Sequence, residues 1–144
     1  MRPWRTARPD DGSAAVEFVT AGMLLLVPLV YLVLTLASLQ SAAFATEGAA
    51  REAARILARE ADPATGRDAA ERAILVALGD VGMTRSAATA RVQCVPRCGD
   101  GALTVTVSVR AEVRLPFVPQ GLAVVVPVEG EATFPVSRFR PDAP

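Results

Sequence analysis

The sequence predicts an α+β protein with a long N-terminal helix that crosses a membrane in its first half. That helix runs into a small domain holding a second helix and a three- to four-stranded antiparallel sheet. Three observations carry this expectation. Phe18 to Thr46 is a run of 29 residues without a formal charge. The residues after it switch to Ala mixed with Arg and Glu, still in a helix-favouring pattern. From Thr89 onward the apolar period falls to two, the signature of half-buried strands.

Composition narrows the function classes. The chain has 144 residues, 51% of them hydrophobic and only 5% aromatic, which fits one small domain with an appendage. Its 15 basic residues are all Arg and balance 15 acidic ones, with no Lys and no His. Without His there is no Ser-His-Asp machinery, no His-bearing zinc site and no imidazole switch. A balanced charge without a basic, aromatic-interleaved patch gives no reason to expect nucleic acid as a partner.

The densest apolar stretch, Met23 to Leu39, reads MLLLVPLVYLVLTLASL. A bilayer core of roughly 30 Å needs about 20 apolar residues, so residues 18–39 suffice for one crossing, with membrane lipid as the surroundings. A soluble core helix would carry a polar stripe, and this run has none. Pro28 inside the run is read as a local bend, since membrane helices tolerate the freed carbonyl. A cleaved secretory signal shares this hydropathy, with Arg2, Arg5 and Arg8 as its basic start and Ala43-Phe44-Ala45 as a small-x-small cut site. Its apolar run is longer than the 7–15 residues of a usual signal core, which favours a retained anchor. Arg counts leave orientation open: three precede the helix, and Arg51, Arg55 and Arg59 follow it.

Beyond Gln40 nothing breaks the helix before Asp62-Pro63, so one helix is expected over residues 13–61, preceded by a leader over 1–12. Glu47 stands four before Arg51, and Glu52 three before Arg55, both supportive spacings. Ala45, Gly48, Ala49 and Ala53, with Ala50, Ala54 and Ala58 nearby, let backbones approach closely. They serve either another helix or the protein's own domain. Arg51, Arg55 and Arg59 form a solvated stripe offset by Glu47, Glu52 and Glu60.

The distal domain is expected over residues 62–144. Thr65 to Asp68 reads as a cap for a second helix, with Ala70, Ala73, Ile74, Ala77, Leu78 and Val81 at helical spacing and an end at Gly79 to Gly82. Ala90, Val92 and Cys94 begin the strand pattern. Leu103, Val105, Val107, Val109, Val113 and Leu115 continue it, and Val128, Ala132, Phe134 and Val136 close it. Pro127 and Pro135 assign the last strand to an edge. Helix is expected to cover one sheet face, leaving the other wet.

Cys94 and Cys98 are the only cysteines. Zinc would need two more ligands and a redox pair a different spacing, so a short-loop disulfide is the favoured reading and two buried thiols the other. A disulfide places the distal domain in an oxidising compartment, and hence the N-terminus in the cytoplasm. No acidic pair in the distal domain has acid/base spacing, so neither an enzyme, a cofactor nor a small-molecule substrate is expected.

The junction Gly12-Ser13-Ala14-Ala15-Val16-Glu17-Phe18 sets a glycine before the apolar run and a carboxylate five residues after it. A charge at the edge of a membrane helix is a functional hypothesis by default; the plain alternative is a carboxylate resting among headgroups. This stretch, with the long apolar helix running into FATEGAAREAAR, resembles the TadE (TadE/TadG) family of minor pseudopilins of tight-adherence (Flp, type IVc) pili. The resemblance is clearest over Asp11 to Arg59. It implies a type IV pilin-like layout, a class III signal cut by prepilin peptidase after Gly12, and Ser13 as the mature N-terminus. It further implies that Glu17 pairs with the freed α-amino group of a neighbouring subunit, and that the partners are other pilins, pseudopilins and the Tad secretion machinery. Asp10 and Asp11 depart from the basic residue common in such leaders. A generic single-pass anchor presenting a binding domain is the competing function. The all-Arg basic set agrees with a GC-rich bacterial source.

Overall fold

The computed structural model describes residues 13–98, 102–118 and 124–136. The chain divides into two compact units, Met1–Thr35 and Leu36–Pro144. The leader and Gly12 lie outside the described residues.

In the first unit the described residues form the start of α1 (Ser13–Arg59), an uninterrupted helix with Pro28 inside it. Its apolar side chains, among them Phe18, Leu24, Leu25 and Leu32, are exposed along the whole stretch. Thr20 keeps its hydroxyl satisfied by donating to the Val16 carbonyl at 2.7 Å. Among the described residues, this is the one helix long and apolar enough to cross a membrane.

The second unit takes in the rest of α1, from Leu36 to Arg59, with α2 (Pro63–Gly79), a 3-10 turn at Arg85–Ala87, β1 (Ala88–Val95), β2 (Thr104–Arg114) and β3 (Val125–Pro135). The α+β layout is the expected one, with three strands rather than four among the described residues. The α1 helix stops at Arg59, two residues before the expected end. Asp62, not Thr65, caps α2: its carboxylate accepts from the Ala64 and Thr65 amides at 3.3 and 2.9 Å and from the Thr65 hydroxyl at 2.5 Å. Pro63 fills the first helical position, where a missing N–H is harmless. The pair Asp62-Pro63 therefore ends one helix and starts the next.

The sheet order is β1-β2-β3, antiparallel throughout, so β3 is an edge strand as its prolines require. On β2 the alternation is strict. Val105, Val107, Val109, Ala111 and Val113 are buried, with more exposed residues between them. The first four pack with Ala49, Ala50, Ala53 and Ala54 of α1 and with Ala70, Ile74 and Leu78 of α2. Ala49, Ala50, Ala53 and Ala54 thus serve the protein's own domain, whereas Gly48 faces open space. They let the sheet come so close that a Cβ on Gly130 would sit 2.5 Å from the Thr46 carbonyl carbon and closer still to the Glu47 amide nitrogen. No side chain fits there.

The polar face of α1 is also as expected. Arg51 pairs with Glu47, and Arg55 lies 3.8 Å from Glu52, all exposed. A third pair, Arg85 with Glu71, ties the 3-10 turn to α2. Such exposed pairs stabilise by at most about 1 kcal/mol each.

Candidate functional site: the N-terminal end of the long helix

Ser13 opens α1, and Glu17 follows one helical turn later. Residues four apart share a helix face, so the Glu17 carboxylate stands over the turn that Ser13 begins. Val16, Glu17, Thr20 and Ala21 border one shallow depression on the helix surface. Glu17 is exposed, and among the described residues it enters no salt bridge. It is also the only charged residue between Ser13 and Glu47. The local chemistry is therefore a single carboxyl group, presented outward at the start of an apolar rod.

The second predicted site lies in the other unit. Cys94 and Cys98 stand at disulfide distance, with Cα atoms 4.8 Å apart, just where β1 ends. Closing so short a loop stabilises by about 2 kcal/mol in the chain-entropy argument. The pair borders a cleft of about 290 Å³ together with Leu57, Glu60, Asp62 and Arg67. A neighbouring cleft of about 280 Å³ continues between α2 and β1 over Ile74, Leu78 and Val107. It exists because Ala90 and Val92, though turned to the helix-bearing face by their pairing with Val109 and Val107, remain exposed. Among the described residues no group of three or more His, Cys, Asp or Glu converges to hold a metal.

Comparison with protein-family models, curated proteins and solved structures finds no match to this chain.

Among the described residues, one ionisable group is clearly shifted. The Asp62 carboxyl lies below its ordinary value because the Thr65 hydroxyl and then the Thr65 and Ala64 amides stabilise the carboxylate. Its role is structural, at the junction of the two helices. Three residues of structural consequence carried little sequence signal: Asp62, overshadowed by Thr65, Gly130 and Phe117. Gly130 did leave a trace, a lone glycine inside an alternating strand pattern, which commonly marks a close backbone approach.

Proposed function

We propose that the chain is a membrane-anchored minor pseudopilin or assembly factor of a type IVc (Tad/Flp) pilus. It works by protein association rather than catalysis. The observation that carries this reading is Glu17, a lone outward carboxylate one turn into a helix otherwise uncharged up to Glu47. A carboxylate at the centre of a membrane helix costs roughly 2.5–3.5 kcal/mol on insertion scales, and less toward its margin. A buried ammonium on a neighbouring subunit offsets that penalty, and a misaligned neighbour leaves both charges unpaired. The carboxylate therefore selects partners in register.

Processing after Gly12 supplies such an ammonium, the α-amino group of Ser13. The C-terminal domain lies on the extracytoplasmic side, where Cys94 and Cys98 remain oxidised. Retention of the helix is supported by its packing. Ala42 and Thr46, on either side of the small-x-small sequence Ala43-Phe44-Ala45, are fully buried in the domain. A signal cleavage after Ala45 would remove the first and leave the second as a chain end.

The test is made in the native host. The mature protein should begin at Ser13, and Glu17→Ala should leave it in the membrane fraction while piliation or recovery of co-purifying pilins falls at least about tenfold, the loss expected for roughly 1.4 kcal/mol of pairing. Normal piliation with Glu17→Ala would remove the pairing role. An intact Met1 on the membrane-extracted protein would remove the processed form.

A further inference from the structure

The stretch of sequence joining β2 to β3 is unlike the rest of the distal domain. Between Arg114 and Glu129 the sequence LPFVPQGLAVVVPV carries no formal charge. Phe117 is 81% exposed, and Val124 and Val125, where the chain enters β3, are exposed as well. Phe117 also holds φ at 59°, the left-handed region that a bulky side chain seldom adopts. A strained backbone presenting a bare aromatic ring is unfavourable in water, and an apolar surrounding would offset it.

The direction of the hairpin identifies that surrounding. Near one end of the sheet, Val105 borders a cleft with Leu57. In the middle, Gly130, paired with Val109, abuts Thr46 and Glu47. At the other end, Glu112, Val113 and Arg114 share a cleft with Ser38, Ser41 and Ala42. So β2 runs down α1 toward Leu36–Leu39, the last residues of the apolar run, which belong to this same unit. Ala42 is about 4.5 Å along the helix axis from Leu39. Phe117 is three residues past Arg114, a reach of up to about 10 Å. The Leu115 amide donates to the Val124 carbonyl at 3.3 Å, which prolongs the hairpin in that direction.

Charge placement agrees. Arg114 pairs with Val125 at the base of the tip and is the first charged residue back along β2. Glu129 sits further back, opposite Arg110, and Glu112 opposite Pro127.

We propose that Phe117, with Val124 and Val125, inserts into the headgroup–acyl boundary of the bilayer that α1 crosses, with Arg114 facing lipid phosphates. The inference rests on the reading of α1 as a retained membrane anchor. It adds a second membrane contact that holds the domain against the bilayer. An aromatic ring with aliphatic neighbours and an adjacent cation is the composition suited to that boundary.

The test uses full-length protein carrying Trp4→Phe, which removes the single native tryptophan. It is reconstituted into phosphatidylcholine/phosphatidylglycerol vesicles whose acyl chains are spin-labelled near the headgroup or near the bilayer centre. Tryptophan is then placed singly by Phe117→Trp, Val124→Trp, Leu25→Trp or Arg91→Trp. The two tip variants should emit to the blue and lose most of their fluorescence to the shallow label. Leu25→Trp should respond to the deep label, and Arg91→Trp to neither. Val124→Trp keeps the measurement decisive if Phe117→Trp fails to fold. Unquenched tip variants alongside a quenched Leu25→Trp would overturn the proposal and leave the anchor standing. Blue-shifted but unquenched tips would overturn it in favour of a protein on that surface. An unquenched Leu25→Trp would overturn the anchor, and the tip contact with it.

Discussion

At the scale of single residues, Asp62 links the two helices through one exposed carboxylate. It holds three donors from Ala64 and Thr65, and those bonds lower its pKa from the ordinary value of 3.8. A group whose pKa is lower in the folded state than in the unfolded one stabilises the fold above the unfolded pKa. That contribution is lost as pH falls through the folded value. Asp62→Ala should therefore lower the thermal midpoint of the detergent-solubilised full-length protein at neutral pH, and the deficit should shrink as pH falls below the ordinary carboxyl value of 3.8. A deficit independent of pH would show that the carboxylate's charge has no part in the cap. The sequence made the junction legible but misassigned the cap, because Asp62 and Thr65 are both good capping residues three apart. Pro63, pre-set for the first helical position, decides between them.

At the scale of elements, the packing of α1 on the sheet depends on what is missing from both surfaces. Ala49, Ala50, Ala53 and Ala54 present only methyl groups, and Gly130 presents none. Gly130→Ala forces a carbon into the α1 backbone at Thr46 and Glu47, which has no rotamer to give way. We expect a loss of about 3 kcal/mol or more in urea unfolding of the full-length protein in detergent, at the upper end of overpacking effects. Gly79→Ala, whose Cβ meets nothing within 4 Å, should by contrast be nearly silent. Equal effects at the two sites would refute the close approach.

The same interface shows how far sequence reading reaches. Alternation on β2 identified Val105, Val107, Val109 and Val113 directly, because a strand's period states which side chains face inward. The Ala-rich half of α1 was ambiguous, since small residues announce a close approach without naming what approaches. The exposure of Ala90 and Val92 was invisible for a related reason. Periodicity gives the face of a strand, not whether a helix covers it. Glu17 was legible as the one charge in the early helix, whereas the partner proposed for it belongs to another subunit and leaves no mark in this fold.

At the scale of the whole molecule, the charge pattern and the cysteines make complementary statements. The apolar run of α1 has three arginines before it and three after it, so arginines do not orient it. On the proposed reading the cysteines do, because a disulfide persists on the oxidising side of a membrane. Cys94 and Cys98 are the only thiols the chain contains, so labelling chemistry reports on this loop alone. In intact cells with an accessible inner membrane, a membrane-impermeant maleimide should fail to label the untreated protein. It should add two labels after a membrane-impermeant reductant. Labelling that appears only after lysis would place the domain in the cytoplasm, and labelling without reductant would mean free thiols. Either result would reverse the proposed orientation or remove its basis. The expected result would instead put Glu17 on the cytoplasmic side of the span, the leaflet at which a processed N-terminus must meet it.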